Sequence, residues 1–364
     1  MKRLTLGLVA ATLSTAALAA DDAIKMPDMY GSLAGRIIDQ GDEKDFTAEA
    51  FEVRFGLKGN YQLADYRVLY QFEADFVDAV NDNQDASSGD NNEVTVRRAR
   101  LLFPSQYGVA VLAPRTESGQ QKDLYGPIDI FETNEAHKEQ PSALFRQAEL
   151  ASHVLAYITP TFHNARAVVG VLTLKDDNDE DIDVWSYRVV YDDTRLHLGA
   201  GQVITREALL PGTEDYVRSA LSLGYTWPSL QLGLTFEHND EDPAGDSQVL
   251  GVAASYEFVP RWRLGLGYID KDFDDAAVQD EDAMLISLTY QPHDKLEFFV
   301  EAGEFEVDSK DNLSAGVKFT FWPGLLRGAG EPLLGRRCDG EARAVCVAGA
   351  RCGKCLHRKL NRLH

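Results

Sequence analysis

The sequence predicts an all-β chain: a closed antiparallel transmembrane β-barrel of 16 strands with a long third loop folded into the lumen. Three observations carry this expectation. Apolar and polar residues alternate with period 2 in short runs from Tyr30 to Phe321, and helical periodicity is hardly present. The links between runs switch between short turns and long acidic stretches. One link, between Arg115 and Leu150, holds about 34 residues, far beyond an ordinary connection.

The alternation is clear in Phe51, Val53, Phe55 and Leu57, with Glu52, Arg54, Gly56 and Lys58 between them. It recurs in Leu230–Glu237 and in Asn312–Phe321. Each run has one greasy and one polar face, as a half-buried strand requires. A soluble sandwich alternates too, so the links decide. Short ones include Pro104–Gly108, Pro160–Asn164, Asp192–Arg195 and Pro292–Lys295; long ones include Gln40–Ala48, Val77–Asn92, Lys175–Asp183 and Asp270–Ala283. Short turns on one side and long loops on the other mark a membrane barrel. Tyr70, Tyr157, Phe162, Tyr225, Trp227, Phe258, Trp262 and Tyr290 stand near strand ends, where interfacial girdles need aromatics.

Residues 1–20 read as a signal peptide: basic Lys2 and Arg3, an apolar Leu4–Leu13, then Ala17-Leu18-Ala19 before Asp21 and Asp22. No later segment offers the ~18 consecutive apolar residues of a membrane helix, so a spanning chain must close its sheet. The net charge is −22, with +2 in the signal segment and +6 after Phe321, which leaves −30 in the body. So acidic a body excludes nucleic acid as a partner. All four cysteines, Cys338, Cys346, Cys352 and Cys355, fall in the basic stretch 322–364. The body, 21–321, needs no disulfide. The tail has no barrel alternation and looks like translation past a lost stop codon.

Several motifs, in order, resemble the general diffusion porins of Gram-negative outer membranes. Met29-Tyr30-Gly31-Ser32-Leu33 resembles that family's opening strand, Arg54–Gly59 its second and Tyr70-Gln71-Phe72-Glu73 its third. Tyr125-Gly126-Pro127-Ile128-Asp129 resembles the constriction loop, Phe145-Arg146 and Tyr157–Phe162 the segment after it, and Gly316–Phe321 the final strand. Pro104-Ser105-Gln106 and Ala113-Pro114-Arg115 depart from the pattern. The resemblance implies a homotrimer in the outer membrane, surrounded by lipid and lipopolysaccharide, with one water-filled pore per subunit for passive diffusion of ions and small hydrophilic solutes.

Strand parity assigns faces. With Phe51, Val53 and Phe55 toward lipid, Arg54 and Lys58 face inward. With Ala99, Leu101 and Phe103 toward lipid, Arg98 and Arg100 face inward and Arg97 falls near the interface. Arg36 shares the inward parity of Ser32, and Arg146 holds the family's position at the end of the long loop. Together Arg36, Arg54, Arg98, Arg100 and Arg146 read as the basic wall of a constriction, with Lys58 elsewhere in the lumen. Its acidic counterpart is expected on the loop: Asp129 from the resemblance, and Glu132 and Glu135 as its neighbours. Opposed charges leave a transverse field that favours small polar solutes.

Other readings remain open. A substrate-specific channel for an anion or small acid is the runner-up; an enzyme or a structural, adhesive barrel ranks lower. The body's histidines, His137, His153, His163, His197, His238 and His293, are scattered and lack a nucleophile motif. No cofactor is expected. The acidic runs Asp176–Asp181 and Asp240-Glu241-Asp242 are candidates for loop-bound Ca²⁺, but they lack the glycine and spacing of a calcium loop.

Overall fold

A computed structural model describes residues 27–41, 46–81, 94–140, 142–173, 182–209 and 214–321. The signal segment, the run Asp176–Asp181 and the Cys-containing tail lie outside the described residues.

Sixteen strands form one sheet that closes on itself. Five precede the long connection: β1 (Asp28–Gln40), β2 (Thr47–Leu63), β3 (Tyr66–Asp75), β4 (Thr95–Ser105) and β5 (Gly108–Glu117). Next come β6 (Leu150–Ile158), β7 (Ala165–Leu172), β8 (Val184–Asp192), β9 (Leu196–Thr205), β10 (Tyr216–Thr226) and β11 (Leu230–Asp240). The last are β12 (Ser247–Val259), β13 (Trp262–Phe273), β14 (Glu281–His293), β15 (Leu296–Phe305) and β16 (Asn312–Phe321). Each strand pairs antiparallel with its sequence neighbour, and β1 pairs with β16 from Gly31↔Phe321 to Gln40↔Asn312. Closure leaves no strand edge unpaired.

The two faces of the sheet differ as alternation requires. Outward side chains such as Val189 (56% exposed) and Leu221 (55% exposed) alternate with buried Val190 and Ala220. So wide an exposed apolar face belongs in a hydrocarbon medium. At the short-turn rim, aromatics stack in rows: Trp262 on Tyr290 at 4.6 Å, Tyr290 on Phe298 at 6.4 Å, and Tyr225 against Trp227 at 4.2 Å.

Two β-bulges correct the parity reading. The register of β1 and β2 shifts between Ala34 and Gly35, where Phe51 is the extra residue. Phe51 therefore turns from the lipid side onto buried Phe299, edge to face at 5.7 Å, with the Arg36 guanidinium 5.2 Å from its ring centre. The register of β3 and β4 shifts between Glu73 and Ala74, where Arg97 is the extra residue. Arg97 lies only 5% exposed rather than at the interface. A bulge puts consecutive residues on one face, so Arg97 and Arg98 both point inward. A short helix, α1 (Val77–Asn81), follows β3. The Asn81 side chain caps β2 by accepting from the Ala50 amide at 2.9 Å and donating to the Ala50 carbonyl at 2.6 Å.

Candidate functional site

The connection Ser118–Glu149 begins with a tight turn at Gln121–Tyr125 and then follows the polar face of the later strands. Glycines form its seat. Gly199 on β9 faces Asp123 and Leu124, Gly233 on β11 faces Pro127, and Gly267 on β13 faces Phe131. At Gly233 the approach is closest: a Cβ there would lie 1.9 Å from the Pro127 carbonyl oxygen. A glycine inside a strand weakens the strand but lets another backbone come close. Gly233→Val should therefore lift the segment off β11 while the barrel still closes. The expected result is a heat-resistant barrel with altered conductance and faster cleavage between Ser118 and Glu149 in limited proteolysis; an unchanged cleavage pattern would contradict this seating.

Side chains from the same wall pin the segment. At its start, Asp123 accepts from Arg166 at 2.9 Å and Arg188 at 2.5 Å, while His197 Nε2 meets the Asp123 carbonyl at 2.7 Å. Midway, Thr235 donates to the Leu124 carbonyl at 2.8 Å, and Glu237 receives the Tyr125 hydroxyl and the Arg146 amide. At its far reach, the Glu301 carboxylate accepts the amides of Glu132, Thr133 and Asn134 at 2.9, 3.0 and 2.7 Å, and the Asn134 side chain at 2.8 Å. Apolar packing fills the space between the pins: Leu124, Tyr125, Ile128, Phe131, Leu144 and Phe145 form a buried cluster with Val249, Ala253 and Leu285.

The arginines of β2 and β4 do gather on one wall, but their partners differ from the expected ones. Arg54 pairs with Asp75 at 3.0 Å and Glu52 at 3.1 Å, and lies 3.7 Å from Glu149. Arg97 grips Glu149 with two nitrogens, and Arg98 bridges Glu73 and Glu117. The opposing carboxylates thus come from the wall itself and from Glu149, the last residue before β6. Among the described residues none of Asp129, Glu132 and Glu135 makes an ion pair with these arginines. Glu132 meets Lys318 at 2.8 Å, and only through Lys318, 3.2 Å from Glu52, does it join the cluster. Glu135 pairs with His137 at 2.8 Å. Arg146 leaves the basic wall for Asp242 on the far side, at 2.7 Å. Arg36 pairs with Glu49 at 2.6 Å. Among the described residues Arg100 bonds neutral Gln71 and Thr116 alone, and Lys58 lies over the Tyr30 ring.

The arginines find partners nearer than the loop for a physical reason. Glu73, Glu117 and Lys318 share the inward face with the arginines, so the nearest charges neutralise each other before the loop is reached. Inward glycines within strands were the signal that could have located the loop's seat.

Asp129 instead organises the loop internally, accepting the Ala136 amide at 3.0 Å and the Gln121 side chain at 3.1 Å. Burial and then the nearby Glu135 push its carboxyl up to about 7, against the lowering effect of those two bonds. Burial works against a proton on His137, but bonding to Glu135 and Glu139 outweighs it and holds the imidazolium up to about 10. A carboxyl raised in the folded state favours folding below its unfolded value and loses that contribution as pH rises through the folded one. For Asp129 the window runs from about 4 to about 7. Glu135→Gln should lower the Asp129 midpoint, followed by carboxyl infrared bands; no movement would show that burial alone sets it.

Among the described residues no group of three His, Cys, Asp or Glu side chains is placed to hold a metal ion. Asp242, from the second acidic run, is already engaged by Arg146 and by the Ala244 amide at 2.9 Å.

Sixteen antiparallel strands closed on themselves, apolar outside and charged inside, define a channel of the outer-membrane barrel class. The chain belongs to the Gram-negative porin family, whose profile matches residues 5–310. It is an outer-membrane protein that forms a diffusion channel. Solved structures agree in fold. OmpF of Salmonella typhi, in complex with daunomycin, superposes with a TM-score of 0.63 at 16% identity, covering 81% of this chain and 97% of that one. A loop L8 deletion mutant of OmpT of Vibrio cholerae gives 0.61 at 18% (81% and 99% covered), and an anion-selective porin from Comamonas acidovorans 0.60 at 14% (81% and 99%). No curated protein matches the chain in sequence.

Proposed function

We propose that Ser118–Glu149 crosses the lumen and forms its narrowest point, and that three subunits assemble with one pore each. The observation that carries this reading is the Glu301 clamp: three consecutive amides of the segment end on a strand ten positions further along the barrel from β5. A segment fixed there and at Glu149 has to span the interior.

The throat then lies beside Arg54, Arg97, Arg98 and Lys318, four formal positive charges against the six of Glu52, Glu73, Asp75, Glu117, Glu132 and Glu149. That balance favours a modest preference for cations, whatever the total charge of the external loops. The trimer is supported by fold likeness to OmpT of Vibrio cholerae, one structure of which is described as a trimer form. The outward apolar face suits outer-membrane lipid and lipopolysaccharide as neighbours. Family membership, with His137 and His197 engaged in structural pairs, favours permeation over catalysis. The test is conductance of the purified protein in a planar bilayer, with reversal potential under a salt gradient and the mass of the unheated complex. Ohmic steps with a small cation preference from a trimer are expected. A closed bilayer, or a monomer, would overturn the proposal.

A further inference from the structure

Most cations of the inner wall are tied to a carboxylate: Arg36, Arg54, Arg97, Arg98, Arg166, Arg188, Arg263 and Lys318 all make ion pairs. Two are not. Lys58 and Arg100 make no ion pair among the described residues, and they share one register row, Lys58↔Gln71↔Arg100, on the inward face of β2, β3 and β4. Neighbouring strands lie about 4.8 Å apart, so the two backbones stand about 10 Å from each other with Gln71 between. That is a span that two long side chains converge across. The nearest carboxylate in register is Asp28, opposite Lys58 and exposed at the start of β1.

The row is also preset. Gln71 donates to the Tyr30 hydroxyl at 2.6 Å, which turns its carbonyl oxygen toward Arg100. Arg100 gives Nε and one Nη to that oxygen, at 3.0 and 2.6 Å, and the other Nη to Thr116 at 3.2 Å. A guanidinium has five N–H groups, so some remain for a further acceptor. Holding an arginine by neutral partners fixes its fork without cancelling its charge. Lys58 is steered by the Tyr30 ring, 5.5 Å from its ammonium. Along the strands, the row lies toward the short turns, on the far side of the compensated Arg97 and Arg98 from the long loops.

We propose that Lys58 and Arg100, positioned by Gln71 and Tyr30, bind a small oxyanion, phosphate or carboxylate, in the vestibule on the short-turn, periplasmic side of the throat. This rests on the channel reading of the barrel. A doubly charged oxyanion fits both cations at once, whereas chloride offers no paired oxygens to a guanidinium fork. The site gives a channel with a cation-preferring throat a resting place for anions at one mouth.

The experiment adds inorganic phosphate, and in a second arm acetate, to one side of a bilayer holding the trimer in potassium chloride of fixed ionic strength. Phosphate from the periplasmic side should reduce single-channel current saturably, and from the other side only weakly. Acetate should act at higher concentration, which separates a phosphate site from a carboxylate site. Arg100→Gln or Lys58→Gln should weaken the block about tenfold, the loss of one charge-assisted bond. Arg100→Lys, which keeps the charge and loses the fork, should fall between. A phosphate effect equal from both sides, linear in concentration, or unchanged in all three variants would overturn the proposal. Open-channel current present throughout would leave the channel reading standing, and absent current in the wild type would strike that reading instead.

Discussion

Replacing Glu301 with alanine is expected to release the tip of the long connection and raise single-channel conductance and current noise. Glu301 is 1% exposed and, among the described residues, is the side-chain acceptor for the amides of Glu132 and Thr133. Truncation leaves three buried amides and the Asn134 side chain without their carboxylate. Hydrogen bonds to a charged acceptor are worth roughly 1.5–3 kcal/mol each, so the tip loses several kcal/mol of local stability. The barrel itself, held by sixteen ladders, should stay closed, and heat resistance on gels checks that. Glu301→Gln retains a carbonyl acceptor and should give an intermediate result. If the alanine variant conducts quietly at the wild-type level, the clamp does not hold the throat.

The second large effect is on selectivity. Arg98→Glu places a negative charge between Glu73 and Glu117, which Arg98 now bridges. With one positive charge removed and one negative added, reversal potentials should move strongly toward cations. Glu149→Gln should move them the other way, because it takes a carboxylate from between Arg54 and Arg97. At an effective dielectric constant near 20, unit charges 4 Å apart interact by about 4 kcal/mol, enough to dominate a narrow passage. Neutralising Asp179, in the acidic run that the sequence assigns to a long external loop, should do less, and less again above ~1 M salt, where screening acts over about 3 Å. Asp129→Lys is a poor probe of charge, since it breaks the bond to Ala136 that shapes the loop. Larger shifts from Asp179 than from Arg98 would place selectivity in the loops.

How much of this was legible in the sequence depends on the range of the interaction. The strands were, because period 2 and turn residues are local signals: runs such as Leu230–Glu237 and Asn312–Phe321 fall within β11 and β16. Faces were legible until a bulge intervened. Phe51 and Arg97 were misassigned since an extra residue leaves no mark in the alternation. The candidate site was harder. Arg54, Arg98 and Arg100 were placed on one wall, but ion pairing depends on neighbours across strands, and Glu73 sits opposite Arg98 only once the register is known. The partners of the long connection are further still: Glu301 is 167 to 169 residues away from the amides it holds, a distance no local pattern encodes.

The junction of β1 with β16 has a consequence for how the molecule comes into being. Gly31 and Phe321 pair across about 290 residues of chain, so this seam carries the largest loop-closure entropy of any in the sheet. Every other ladder forms between neighbours in sequence. A half-assembled sheet therefore carries two bare edges until its final strand arrives, and in that interval it is open to pairing with another chain. Once zipped, the seam has no end at which unravelling starts cheaply. Durability of the finished barrel and vulnerability of its precursor are two results of one connection.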